Sequence, residues 1–165
     1  MKKFLITLIS LVLLFKIGFE IHHNLVYYSV YYAQHLNHNK DADPVMALLI
    51  DNLDAIPRPE NSTIGYDFDG INIAYHNYKN IQVGGLISSY DLYNNRNVYS
   101  FDTSGKFYEY TMMGSEIPYN FKEKQEEAKK LVYDIIQPVI DIQPEPPKYA
   151  NLQWIFNIIY GRRFQ

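Results

Sequence analysis

The chain contains no cysteine. That absence removes disulfides, thiolate metal ligands, a cysteine nucleophile and a lipid-acylated cysteine together, while leaving the redox compartment open. Sequence signatures of catalysis are missing too: there is no Gly-x-Ser-x-Gly, Ser-x-x-Lys, phosphate loop or Gly-x-Gly-x-x-Gly. No fixed-period repeat and no low-complexity tract occurs, and tryptophan appears once, at Trp154. These absences argue against an enzyme and imply no cofactor.

Charge is scarce in some places and one-sided in others. Residues 1–39 carry Lys2, Lys3 and Lys16 against Glu20, a balance of +2; residues 40–120 have 5 basic and 11 acidic side chains, −6; residues 121–165 come to +1. An acidic middle repels phosphate backbones, so nucleic acid is not an expected partner.

One long hydrophobic run is present. Phe4 to Phe15 is unbroken behind Lys2 and Lys3, and Lys16 and Glu20 then interrupt. Basic residues before an apolar stretch fit a secretory signal, yet no pair of small residues at cleavage spacing follows. Phe4 to Ile21 makes about 27 Å of helix. A bilayer core is about 30 Å, so Lys16 must snorkel or the bilayer thin if the segment spans. The expectation is a retained anchor with its amino end cytoplasmic and a single-pass membrane protein whose C-terminal domain is extracytoplasmic. A cleaved signal, with a periplasmic or secreted product, is the alternative.

Tyrosine supplies 16 residues. Tyr27, Tyr28, Tyr31 and Tyr32 cluster just beyond the apolar run, at i, i+4 spacings if the helix continues. They form a candidate interaction surface, facing either lipid or the protein's own core, together with Trp154, Arg162 and Arg163 in the C-terminal segment. His35 and His38 stand i, i+3 with Asp41 close behind, a candidate metal set. The Glu of a His-Glu-x-x-His motif is lacking. Asp67-x-Asp69-Gly70 resembles the start of a calcium loop without its remaining oxygen ligands.

Asp43-Pro44 opens a helix with N-cap and first-turn proline, and Val45, Leu48, Leu49 and Leu53 make its stripe. Asn61-Ser62-Thr63 is a glycosylation sequon. IGYDF-DG-INIAY predicts a two-residue hairpin pairing Phe68 with Ile71, Tyr66 with Ile73 and Ile64 with Tyr75. A strand over 81–93, bent at Gly84-Gly85, follows. VYSFD-TSG-KFYEYTM predicts a second hairpin with a type I turn, a bulge and Gly105 left-handed. Asn120 with Glu123 caps a helix whose buried side is Phe121, Ala128, Leu131, Val132, Ile135 and Val139. Leu152, Ile155, Phe156 and Ile159 recur helically at the C-terminal end.

The expected class is α+β: an N-terminal membrane helix, then an antiparallel meander of about five strands flanked by helices. The expected organisation is an anchor (1–21), a Tyr/His-rich juxtamembrane segment (22–42), a domain (43–142), a Pro-rich linker (143–149) and a C-terminal amphipathic helix (150–165). The expected role is a membrane-anchored binding or accessory protein of the cell envelope, with an inhibitor or immunity-type protein as one specific form, whose partners are membrane lipid and another envelope protein. The alternative is an envelope enzyme or metal protein centred on His35, His38 and Asp41.

Overall fold

The computed structural model describes residues 2–60, 64–66, 72–76, 81–86, 89–94, 97–112 and 118–165. The sequon at 61–63 and the Asp67–Gly70 stretch lie outside them. Helix and antiparallel sheet are both present, with an apolar helix at the N-terminal end.

Helix α1 runs unbroken from Lys2 to Tyr27. No proline occurs before Pro44, and the segment is rich in leucine, so nothing interrupts the backbone ladder. After a slight break at Tyr28, helix α2 (Ser29–Gln34) continues the path, bridged by Tyr28 N–H to Asn24 O and Tyr32 N–H to Tyr28 O, each 3.0 Å.

Helix α3 (Pro44–Asp51) starts where its capping sequence places it: Met46 N–H donates to the Asp43 carboxylate at 3.0 Å. Its expected stripe, Val45, Leu48, Leu49 and Leu53, packs in the core, but burial extends beyond it. Pro44, Met46, Ala47, Leu48, Leu49 and Ile50 are all buried, because α3 is enclosed between neighbouring elements, α2 and the sheet among them.

Strands β1 (Ile64–Tyr66), β2 (Asn72–His76), β3 (Ile81–Leu86), β4 (Ser89–Asn94), β5 (Asn97–Asp102) and β6 (Phe107–Met112) pair antiparallel in chain order. Six strands thus replace the expected five or so, since Leu86 pairs with Ser89 and divides the expected 81–93 strand in two. Gly84 and Gly85 pair in regular register with Asp91 and Tyr90, so no bulge forms there. The first hairpin is one residue out of its expected register: Ile64 faces Ala74, and Tyr66 faces Asn72. Five residues then separate the paired ends, where a type I′ turn would supply two.

The β5–β6 hairpin follows its turn chemistry. Asp102 accepts from Ser104 N–H (2.8 Å) and Lys106 N–H (3.1 Å), and Gly105 takes φ +77°. The register shifts at Ser100/Phe101. That extra residue reverses the alternation within β6, so Phe107 and Tyr110 are both buried while Tyr108 is exposed.

Helix α4 (Phe121–Ile140) is capped by Asn120, which accepts from Glu123 N–H at 3.4 Å. It buries Ala128, Val132, Ile135, Ile136 and Val139 and runs two residues past Pro138. Its Lys124 ammonium bonds Glu127 at 2.6 Å and sits 4.5 Å from the Tyr110 ring, while Tyr99 O–H donates to Glu127 at 2.8 Å. Lys124 is raised, chiefly by its bond to Glu127. Partial burial pulls the Glu127 carboxyl up, but the bonds from Lys124 and Tyr99 and the Lys124 charge together bring it below its usual value.

The 143–147 stretch is docked, not a free spacer: Gln143 Nε2 donates to Pro57 O at 2.8 Å and Pro146 is buried. Helix α5 (Gln153–Tyr160) and the 3-10 turn Gly161–Phe164 close the chain, with Phe156 and Phe164 in the same core cluster as Leu25, Leu92 and Val132.

Asp43 joins three of these parts. Beyond capping α3, it donates its N–H to Ser104 O at 2.8 Å and accepts from Tyr133 O–H of α4 at 3.0 Å. A Cβ on Gly105 would stand 2.6 Å from Asp43 O. Gly105→Ala therefore meets both a left-handed backbone and a collision with main chain, and should cost about 2 kcal/mol or more in denaturant unfolding. An unchanged midpoint would refute this packing.

Burial, then the Asp43 charge and bond, raise the Tyr133 phenol well above its ordinary 10.0. The folded chain keeps a proton that the unfolded chain releases, so this contribution is complete below pH about 10 and is lost as pH rises through the folded value. Tyr133→Phe should lose about 1–3 kcal/mol near neutrality and flatten the alkaline decline of the melting temperature. An identical alkaline slope in both proteins would reject the assignment.

Candidate functional site

The most distinctive surface lies where α1 meets the rest of the protein. From Phe4 to Phe19 the large apolar side chains of α1 are exposed, between 47% and 77%. Ile21 is half-buried and Leu25 is in the core. The helix is long and apolar enough to cross a membrane, properties that a signal sequence shares.

Five residues beyond the apolar stretch, α1 is fastened to the C-terminal segment. Tyr32 is fully buried, and its hydroxyl donates to Asn24 Oδ1 at 2.8 Å while accepting from Leu152 N–H at 3.0 Å. Asn24 Nδ2 donates to Ala150 O at 3.0 Å, and Gln153 Nε2 donates to Tyr32 O at 3.0 Å. The Phe156 ring lies 5.1 Å from that of Tyr32. Burial pushes the Tyr32 phenol up, and the bond from Leu152 opposes it. The knot seats the start of α5 beside the last turns of α1.

This seating keeps Leu152, Ile155 and Phe156 of the expected stripe against the core and departs from it at Ile159. Because Gln153 and Phe156 face Tyr32, the buried side runs through Phe156 and Tyr160, and Ile159 is turned outward. Trp154 (65% exposed), Ile158 (68%) and Ile159 (54%) form an exposed apolar face, preceded by Tyr149 (94%). The stripe rule missed Ile158 and Tyr149. The i, i+4 spacing of Trp154 and Ile158 was the available signal, but spacing does not say which face is covered.

The remaining interaction residues separate. Tyr32 is structural. Tyr27, Tyr28 and Tyr31 are half-buried; the Tyr28 ring stands 6.4 Å from Tyr32 at the expected spacing, whereas Tyr27 stacks with His23 at 5.9 Å. Arg163 pairs with Asp51 and donates from Nε to Thr103 O at 2.6 Å, tying the C-terminal turn to α3 and the β5–β6 turn. Arg162 is exposed.

The His35, His38 and Asp41 set is not gathered. His35 Nδ1 donates to Tyr31 O at 2.8 Å, His38 Nδ1 donates to Asn39 O at 2.7 Å, and Asp41 pairs with Lys106 at 3.4 Å. Among the described residues, no three His, Cys, Asp or Glu side chains stand where they would share a metal ion. His76 belongs to β2.

Two clefts flank these elements. An open groove of about 540 Å³ runs between α1 residues Glu20 to Tyr27, Tyr28, and Ala150 with Leu152. A smaller one of about 200 Å³ lies between the 40–43 segment, Gly105 and α4, where Lys40 and Lys129 offset Asp41 and Glu126.

Comparison with family models, with curated proteins and with solved structures finds no match to this chain.

Tyr32→Phe should take a partner from the half-buried Leu152 N–H and Asn24 carbonyl, costing about 1 kcal/mol or more. Faster hydrogen exchange at the Leu152 amide should accompany the lost stability. A variant within about 0.5 kcal/mol of the parent, the range of an ordinary surface substitution, would show that the knot is not a structural tie.

Proposed function

We propose that this protein is a single-pass, membrane-anchored binding module of the cell envelope. In this reading α1 crosses the bilayer and the α+β domain works on the extracytoplasmic side. The observation that carries it is the unbroken path of α1 from an exposed apolar stretch into the core, with Leu25 buried and Asn24 bonded to Ala150. A segment meant only as an address has no need to contribute its last turns to the fold. Lys2 and Lys3 ahead of the run favour a cytoplasmic amino end.

The role assigned to the domain is that of an accessory protein, of which an inhibitor or immunity-type partner is one specific form. The balance of −6 over residues 40–120 suits a basic partner reached by electrostatic steering. Such association should weaken as salt rises, since charges farther apart than about 8–10 Å are screened near physiological ionic strength. The competing metal-protein reading draws no support from His35, His38 and Asp41, each of which is engaged separately.

Fractionation of cells expressing the native chain, with intact mass and external protease digestion, tests the anchor. The expected result is a membrane-bound species that retains residues 1–21 and loses its C-terminal domain to protease added outside. A shortened, soluble product would overturn the reading.

A further inference from the structure

We infer that the exposed face of α5, formed by Trp154, Ile158 and Ile159, is a second membrane contact lying in the lipid interface beside the exit of α1. The inference rests on the anchored reading of α1 and adds a depth and an orientation to it.

Distance along α1 supplies the first argument. The last large exposed apolar side chain of α1 is Phe19, and polar Glu20, His22 and His23 follow. Asn24, five residues past Phe19, is bonded to Ala150. Five residues of helix rise about 7.5 Å. The headgroup layer on each side of a bilayer is about 5–7.5 Å deep, the difference between a total of 40–45 Å and a hydrocarbon core of 30 Å shared between two faces. An α1 that spans therefore carries Ala150 and Leu152 to headgroup depth, and α5 begins one residue later.

Chemistry supplies the second. Trp and Tyr favour that layer because each has an apolar body and a polar tip, and here Tyr149 and Trp154 are both exposed. Lys148 and Arg162, one on each side of α5, are also exposed and suit anionic headgroups. Phe156 and Gln153 hold the opposite side of α5 against Tyr32, so the apolar face cannot turn inward without breaking the knot.

Size argues against a second copy of the chain as the occupant. Trp154, Ile158 and Ile159 are three exposed side chains, few beside the roughly 20–30 residues a side of a standard protein interface. A lipid surface sets no such minimum, and α1 already holds the face in place.

Trp154 is the only tryptophan, so its fluorescence reports on this face alone. The full-length chain is reconstituted into phosphatidylcholine vesicles containing a minority of phosphatidylglycerol, with and without lipid brominated near the headgroup end of the acyl chain. Insertion of α1 is checked separately by resistance to alkaline extraction. The expected result is blue-shifted Trp154 emission, strong quenching by brominated lipid and weak quenching by aqueous iodide. Ile158→Glu, at a position 68% exposed, should reduce the lipid quenching while leaving α1 inserted and the unfolding midpoint unchanged. Retained α1 with iodide-accessible, red emission overturns this inference and leaves the anchored reading standing. Blue emission that neither quencher reaches would place the face against protein and also overturns it. A chain stripped from the vesicles defeats both.

Discussion

The Tyr32 hydroxyl is where distant parts of this chain are made into one structure. Its donor and acceptor are used on segments 8 and 120 residues away, Asn24 in α1 and Leu152 before α5. Each bond alone is worth little net, because water would satisfy the same groups in the unfolded chain. Together they are demanding, since losing the buried phenol takes a partner from the half-buried Asn24 and Leu152 at once. Two placements follow from that demand: α1 joins the domain at a fixed point, and α5 starts beside it.

Tyrosine serves the same purpose elsewhere in the core. Tyr99 ends on Glu127, Tyr110 on Asn97 and Tyr133 on Asp43, at 2.8, 2.7 and 3.0 Å. Each ring buries apolar area, and each hydroxyl pins its element to a polar side chain on another element or on the neighbouring strand. A phenylalanine would supply the burial without the pin. This explains how a chain with no disulfide holds α4 against the hairpin: Lys124 lies over Tyr110 and bonds Glu127, which in turn receives Tyr99. The outward-facing tyrosines are different in kind, and Tyr149 is nearly free.

A helical join between an apolar segment and a domain differs from a flexible one. A flexible linker would let the domain sample many heights and tilts above a bilayer. Here α1 enters the core as helix, with Asn24 bonded to Ala150 and an open groove between α1 and residues 150–152. The Arg163 ties to Asp51 and Thr103 carry the same constraint onward to α3 and the β5–β6 turn.

Local chemistry was legible wherever neighbours in sequence decide it. Asp43-Pro44 capped a helix, Asn120 capped another, Asp102 with Gly105 made the bulged turn, and the Phe4–Phe15 run made an exposed apolar helix. Each depends on bonds or sterics within a few residues. What depended on distant groups was not legible. The first hairpin's register slipped by one residue, the 81–93 strand proved to be two, and the α3 stripe became burial on nearly every side. His35, His38 and Asp41 are close in sequence, yet each found a different partner. The tertiary structure alone decided which face of α5 is covered, because Gln153 and Phe156 answer to Tyr32, more than 120 residues earlier. Sequence periodicity states that a helix has an apolar face; only packing determines whether that face meets the core or is left for something else.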